Sequence, residues 1–354
     1  MALALDYIRT RSVKKKSVQF LTGDTVKFTI KSWQGDYYTP AGVEKSSTKQ
    51  KIGPSQTSAY FDPSIFVKDV DLEGVVTNYA GLTEVVNIPS CKWAQITSSV
   101  YTLGVTQSTI TDMYYVTDGY TSIVKGTMDE HTLPDLLLTG DKRRHASNMQ
   151  GRVHFKAEGL LYITRVTQDG TSHTVSPSAT VTQSYQFYQA VRYDKLTKRL
   201  IFGYATGSKT VNFEWYDECK YPQWSVIFKN KYGVLETLSM SKVSKKSVTV
   251  EKDNFNRSII DANGYYDITR HSNKDKITSG KDGYILNSEL LKDYENDIYE
   301  ELFLSEDVWL QEPGGEPFPV TIGDSKFDRK TILNDKTIQY SITFKSSHNK
   351  IRLS

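Results

Sequence analysis

The sequence predicts an all-β protein built of several modules, with one clear helix near the C-terminus. The chain is rich in aromatic residues, with 23 Tyr, 14 Phe and 5 Trp, and such residues fit the pleated, half-buried surface of a sheet. Turn signals recur every roughly 8 to 15 residues, and apolar and polar residues alternate between them. A chain of 354 residues is long enough for two or three domains, each with its own core.

The first predicted module is β-rich and covers residues 1–105. Within Ser17–Ile30, apolar residues alternate on both sides of Gly23-Asp24, which predicts a hairpin. Residues 39–58 contain almost no large apolar side chains. Long segments of this kind inside compact domains are usually functional or disordered, so we expect an extended loop that serves as a contact arm.

The second predicted module, residues 106–215, is a β-sandwich of immunoglobulin or fibronectin type. Leu160–Val175 predicts one hairpin, and Val181–Arg192 with Leu200–Tyr204 predicts a further strand pair. Residues 138–152 form a second long polar stretch, which we expect to be a loop able to reach a neighbouring molecule.

The third predicted module, residues 216–354, is barrel-like and carries the helix. Trp224–Leu238 predicts a hairpin with its turn at Asn230–Gly233. From Ser288 to Leu304 the apolar residues recur at helical spacing. Ser288 or Asn287 can cap the first free amides of that helix.

Composition excludes several classes of protein. The chain has 44 basic and 41 acidic residues, a net charge of +3, too balanced to indicate a nucleic-acid or membrane partner. Cys91 and Cys219 alone support neither a disulfide framework nor a thiolate zinc site. Neither a nucleophile elbow nor a phosphate-binding P-loop is present. We therefore predict no enzymatic activity, no metal and no cofactor, and no segment that spans a membrane.

A short basic cluster is the first candidate contact. Lys142, Arg143 and Arg144 are consecutive in the 138–152 stretch. Such a cluster can bind phosphates, can solvate a loop, or can pair with acidic groups of a neighbouring subunit. We expect a charged contact arm here, since the rest of the chain lacks a matching basic face.

An aromatic cluster is the second candidate. Trp33, Tyr37 and Tyr38 lie close together before a proline. Tyr and Trp are enriched at protein interfaces, and the same rings can stack on sugars. We expect an interface here, with glycan binding as the alternative.

Four segments resemble a family of virion structural proteins, of tail or baseplate type, from phages and prophages of Bacteroidetes and Flavobacteria. The most specific are Glu218–Gly233, with the pattern C-K-Y-x-x-W-x-V-x-F-x-N-K-x-G, and Pro319–Phe344, which contains K-T-x-L-N-D-K-x-I-x-Y. Met113–Tyr120, which ends in D-G-Y, and Leu302–Trp309, of the form L-x-L-S-x-x-V-W, are similar as well.

The resemblance covers about residues 110 to 344, and its motifs hold turns and buried strands. It implies a structural subunit of a virion, made in the bacterial host cytoplasm, with no active site. Its partners would be copies of itself and other tail proteins. The alternative is a receptor- or glycan-binding module at the tail tip, which would contact a glycan on the host surface.

Overall fold

The computed structural model confirms the all-β prediction, because 59% of the residues that it describes lie in strands and 6% in helices. It describes the residues listed here by number: 6–9, 11, 14, 16–20, 25–34, 43–52, 55–67, 85–87, 92–117, 119–120, 123–124, 127–128, 135–157, 159–176, 188–218, 220–260, 263–266, 268–269, 271–324, 326–331, 338–348 and 350–351.

The chain divides into two compact units. Unit 1 comprises residues 1–217 and 228–237, and unit 2 comprises residues 218–227 and 238–354. The edge predicted near residue 215 lies close to the first change of unit. The edge predicted near residue 105 falls inside a continuous antiparallel strand pair, described below as β7 and β8.

Unit 1 contains seventeen complete strands among its described residues and one short helix, α1 (Ser64–Val67). The strands are β1 (Asp6–Arg9), β2 (Lys16–Gln19), β3 (Thr25–Gln34), β4 (Val43–Gln50), β5 (Ser58–Phe61), β6 (Val85–Asn87), β7 (Lys92–Thr102), β8 (Val105–Thr117), β9 (Ile123–Val124), β10 (Thr127–Met128), β11 (Lys142–Ala146), β12 (Gly151–Lys156), β13 (Leu160–Thr167), β14 (Ser172–Val175), β15 (Tyr188–Tyr193), β16 (Thr197–Tyr204) and β17 (Gly207–Tyr216).

The first layer of unit 1 is a five-stranded sheet in the order β1-β8-β7-β3-β4. One face is apolar and is covered by the β2–β5 pair and by α1, so that Phe28 of β3 stacks on Phe61 of β5 at 4.7 Å between ring centroids. The other face carries hydroxyl residues, such as Thr97 beside Thr111. This alternation follows from the two-residue period of a strand.

The predicted hairpin over Ser17–Ile30 is wrong, because β2 pairs with β5 and β3 pairs with β4 and β7. β4 also lies within residues 39–58, where an extended loop was expected. Its sequence is polar because it is an edge strand of the sheet, with its outward side chains exposed.

The second part of unit 1 is a β-sandwich. A sheet in the order β11-β17-β16-β13-β14 faces a sheet in the order β12-β15-β6, and side chains of both fill the core, among them Phe155, Val191, Phe202 and Phe213. The predicted hairpin over Leu160–Val175 is confirmed as β13 and β14.

The predicted pairing of Val181–Arg192 with Leu200–Tyr204 is wrong, because β15 pairs with β12 whereas β16 pairs with β13 and β17. Between β15 and β16 the chain turns from one sheet to the other. There the Thr197 amide donates to the Asp194 carbonyl at 2.8 Å, and the Asp194 carboxylate accepts from Arg165 at 2.5 Å.

Unit 2 is a single large sheet with a helix beside it. Its strands are β18 (Trp224–Lys229), β19 (Leu235–Met240), β20 (Lys245–Asn256), β21 (Asn273–Asn287), β22 (Val308–Gln311), β23 (Phe318–Ile322), β24 (Ser341–Ser346) and β25 (Lys350–Ile351). Their order is β19-β18-β22-β23-β24-β21-β20, and β25 also pairs with β21. The ends of β18 and β19 nearest their turn belong to unit 1. The sequence predicts a barrel-like module here. Among the described residues the strand order is instead that of an open sheet, with β19 and β20 at its two edges.

The predicted helix over Ser288–Leu304 begins later than expected. A 3-10 turn covers Asp293–Glu295, and helix α2 covers Asn296–Leu304. The earlier residues are extended because their amides bond across to another segment: Ser288 donates to the Tyr340 carbonyl at 2.9 Å, and Leu291 to the Ile338 carbonyl at 2.8 Å. Hydrogen bonds to a segment some fifty residues away in sequence therefore outweigh the tendency of these residues to form a helix.

Candidate contact surfaces

A large exposed feature of unit 2 is a two-stranded ribbon made by β20 and β21, which we name the arm (residues 245–282). The two strands pair without interruption from Lys245 opposite Ile285 to Asp253 opposite Ile277, and after a bulge from Asn254 to Asn256. Among the described residues, β25 pairs with β21 at Ser279 and Gly280 only. Between the bulge and the turn, the described part of the arm is thus a ribbon with no third strand.

Polar contacts fix the shape of the arm. Lys252 and Asp275 form an ion pair across the two strands at 2.8 Å. Near the tip, the Arg257 amide donates to the Ser272 carbonyl at 2.7 Å, and the Arg257 side chain donates to the His271 carbonyl at 2.9 Å. A bridge between Ile260 and Tyr266 then closes the turn.

Large apolar side chains on the arm point into solvent. Their exposed fractions lie between 42% and 91%, for Val248, Val250, Phe255, Ile260, Tyr265, Tyr266 and Ile268. Single exposed apolar residues are common on protein surfaces, but seven on one ribbon indicate a contact surface.

Unit 1 carries a second exposed ribbon end, where β7 turns into β8. Leu103 has a φ of 50° and Gly104 a φ of 83°, and a turn with two successive positive φ angles matches the twist of a tight hairpin. Leu103, Val105 and Ile110 are exposed on this hairpin, so its end presents apolar groups to solvent.

The basic cluster lies in strand β11, which pairs in parallel with β17, and not in the loop predicted over 138–152. Because side chains alternate along a strand, Arg143 points inward and only 2% of its side chain is exposed. Arg144 is half-buried, with its guanidinium 5.1 Å from the centre of the Tyr216 ring. Lys142 is the exposed member of the three.

Arg143 belongs to a buried polar network of unit 1. Its guanidinium pairs with the Glu236 carboxylate and donates to the Thr139 carbonyl at 2.6 Å. The other oxygen of Glu236 accepts from the Asn230 side-chain amide at 3.0 Å, and the same amide group donates to the Leu137 carbonyl at 3.0 Å. Local sequence could not predict this role, because the acid lies 93 residues further along the chain.

Two histidines of the sandwich are fully buried. Burial lowers the pKa of His145 to about 3, helped by the nearby charge of Arg143. Burial likewise lowers the pKa of His154 to about 3, with a further contribution from Arg152. The Tyr193 hydroxyl lies 2.8 Å from Nε2 of His145. Both rings are therefore neutral structural groups at ordinary pH.

The aromatic cluster is only partly within the described residues. Trp33 lies in β3 directly opposite Trp93 of β7 and is 4% exposed. Trp93 in turn packs edge-on against Tyr115. A ring this deeply buried has no free face for a sugar. Tyr37 and Tyr38 lie outside the described residues.

Two carboxylates of unit 2 share one lysine. Lys242 lies between Glu218 and Glu289, at 2.8 Å from each. The hydrogen bond from Lys242 lowers the pKa of Glu218. This arrangement is an ion-pair network rather than an acid–base pair facing a cleft. Within the described ranges, no three His, Cys, Asp or Glu side chains are grouped as a metal site would require.

The comparisons with known proteins add no relative. No protein-family model matches the chain, and no curated protein matches it. Among the described residues, no helix has the length and apolar character needed to cross a membrane.

The arm was not singled out from the sequence, although signals for it exist. Ser247–Val250 alternates polar and valine residues, and Asn263-Gly264 is a turn signal followed by two tyrosines. The alternation predicts a strand with one buried face, whereas the side chains of β20 are exposed on both faces.

Proposed function

We propose that the chain is a structural subunit of a bacteriophage particle, in the tail or baseplate, and that it acts by binding copies of itself and other virion proteins. The observation that carries the proposal is the arm. The proposal includes no catalytic step and places the protein in the virion after its synthesis in the host cytoplasm.

The physical argument starts from the instability of an isolated ribbon. A two-stranded hairpin in water is marginally stable at best, and a third strand or a packing partner is needed to hold it. Yet the arm exposes both faces and large apolar side chains at its tip, Tyr265, Tyr266 and Ile268. Tyrosine is among the residues that dominate binding energy at interfaces. A partner that covers the arm would supply the missing packing.

The resemblance to phage tail proteins supports the same role, since its motif residues hold structural positions. Asn230 accepts from the Tyr232 amide at 3.0 Å in the turn after β18, and Gly233 has a φ of 79°. Tyr340 accepts from the Lys330 amide and donates to the Asn296 side chain. Such positions stabilise a fold and carry no chemistry.

The other candidate contacts give less support. Arg143 and Trp33 are buried within unit 1, so neither offers its polar or aromatic face to a phosphate or to a sugar. For this reason we propose assembly through the arm rather than glycan binding through Trp33.

The first experiment measures the mass of the purified protein by light scattering and then images the same sample by electron microscopy. We expect a multimer of defined symmetry. The triple variant Tyr265→Ser, Tyr266→Ser, Ile268→Ser should lower the measured mass, because it removes the largest exposed apolar groups of the tip.

The matched control is Ile52→Ser, Leu161→Ser, Leu196→Ser, which changes three exposed apolar residues of unit 1 and should leave the mass unchanged. Mass spectrometry of purified phage particles that encode the chain gives an independent readout. Particles that lack the chain, or a monomer that binds a glycan array, would contradict the proposal.

A further inference from the structure

The outer edge of β20 has no neighbouring strand among the described residues, because β20 is the last strand in the order of its sheet. From Lys245 to Asp253 its ladder with β21 is regular, and a bulge follows. Nine residues of regular strand span about 30 Å. A strand edge of this length presents a row of backbone amides and carbonyls that can pair with another chain.

We propose that this edge pairs antiparallel with β20 of a second copy, across a twofold axis at Thr249. The inference rests on the proposed function in that it names the partner as a copy of this chain. An antiparallel pairing of one strand with itself is self-complementary, as a twofold interface requires.

The side chains select the register. With the axis at Thr249, Val248 faces Val250 of the other copy and Lys245 faces Asp253, and symmetry provides each of these pairs twice. All four side chains are exposed, and neither Lys245 nor Asp253 makes an ion pair within the part of the chain that the structure describes. Apolar and opposite-charge pairs across strands stabilise a sheet.

The neighbouring registers are worse. An axis at Val250 places Lys245 opposite Phe255 and Val248 opposite Lys252. An axis at Val248 places Lys245 opposite Glu251, but it also places Asp253 opposite Val243 and Lys246 opposite Val250. Each alternative register therefore sets a charged residue opposite an apolar one in two kinds of pair, whereas the Thr249 register has no such pair, so the Thr249 register is favoured.

One pair in the favoured register is repulsive, Lys246 opposite Lys252. Each lysine already has a compensating neighbour in its own chain. Lys252 pairs with Asp275 at 2.8 Å, and the Lys246 ammonium lies 5.2 Å from the centre of the Tyr284 ring. These contacts draw both ammonium groups toward β21 and reduce the repulsion.

Cysteine cross-linking tests the axis directly. In a Cys91→Ser, Cys219→Ser background, Thr249→Cys would place two thiols on directly opposite residues, whose Cα atoms are about 5 Å apart and within disulfide range. Mild oxidation should then give a covalent dimer on a non-reducing gel. The control Lys281→Cys changes the exposed residue that pairs with Thr249 within the chain; its two thiols would be about 14 Å apart and should not cross-link.

A charge exchange provides a second measurement. Lys245→Glu or Asp253→Lys alone should weaken the dimer about tenfold in sedimentation equilibrium, since each puts like charges in two pairs. The double variant Lys245→Glu, Asp253→Lys should restore the affinity, a result that a merely structural effect of either residue would not give.

The outcomes separate this inference from the proposed function. Equal cross-linking of both cysteine variants, or none in a protein that still forms multimers, overturns edge pairing and leaves a virion subunit that assembles by other surfaces. A chain absent from purified particles overturns the virion role, whereas selective cross-linking at Thr249 would still support the dimer.

Discussion

The sharpest test of the fold is Glu236→Gln in the buried network of unit 1. Glu236 is 3% exposed, and its two oxygens serve the Arg143 guanidinium and the Asn230 amide group separately. A glutamine offers one oxygen and one NH₂ group. Whichever way it turns, an N–H group faces another donor, and the guanidinium loses its counter-charge.

The magnitude follows from that geometry. Removing one partner of a buried ion pair costs about 3–5 kcal/mol, because the other charge is left uncompensated. Against a total stability of about 5–15 kcal/mol, this is a large fraction. In a unit of this size, 1 kcal/mol moves Tm by about 2–4 °C, so we expect Glu236→Gln to lower Tm by roughly 10 °C.

The assay is calorimetry together with urea unfolding, with the exposed ion pair of the arm as the control. Asp275→Asn breaks a contact with Lys252 that is about half exposed on both sides, and such pairs contribute ~0–1 kcal/mol. The double variant Arg143→Met, Glu236→Leu should recover part of the loss, since apolar replacements can be tolerated where a lone charge cannot. A change below about 0.5 kcal/mol for Glu236→Gln, in the range of surface substitutions, would refute the network as a source of stability.

Three further predictions concern single sites. The pKa of His145 and of His154 is about 3 in the folded state and about 6.5 in the unfolded state. As the pH falls below about 6.5, the unfolded state takes up protons that the folded state does not. The free energy of unfolding is therefore highest above pH ~6.5 and decreases as the pH falls toward 3. Unfolding experiments should show a loss of about 2 kcal/mol per histidine between pH 6.5 and 5, and a flat profile over that range would contradict neutral burial. Gly151→Ala would place a methyl group on the Tyr193 hydroxyl, and a loss of about 1–3 kcal/mol is expected from overpacking. Gly315→Ala serves as the control for crowding, because an added methyl group there lies no closer than 3.5 Å to any atom. Lys242→Met should raise the pKa of Glu218, because the hydrogen bond that lowers it is lost; carboxyl NMR titration measures this, and an unchanged pKa would exclude that cause.

The fold class could be predicted because alternation records which side of a strand is buried. Val18 and Phe28 are two of the alternating apolar residues of Ser17–Ile30, and both lie in one core of unit 1. The partner strands could not be predicted in the same way. Alternation is identical whether β3 pairs with β2 or with β7, and the choice depends on residues far along the chain.

The contact residues proposed from the sequence also depend on partners far along the chain. Three consecutive basic residues, Lys142, Arg143 and Arg144, predict a solvent-exposed segment, because burying a charge without a partner is costly. Only the presence of Glu236 makes the burial of Arg143 tolerable, and its position could not be inferred from local sequence. In the arm, the alternation of Ser247–Val250 predicts a strand with one buried face, although both faces of that strand are exposed, and local sequence cannot distinguish the two cases.

The discontinuous make-up of unit 1 has a consequence for the order of events during synthesis. Glu236, which pairs with Arg143, and Asn230, which donates to Glu236, both lie beyond Glu218–Ile227, a segment that belongs to unit 2. Domains generally fold as units while the chain emerges from the ribosome. Unit 1 cannot complete its buried network until residue 237 has left the exit tunnel, so a fragment ending at Asp217 would leave the guanidinium of Arg143 without its anion. Ribosome-stalled chains released before and after that residue should differ in their resistance to protease.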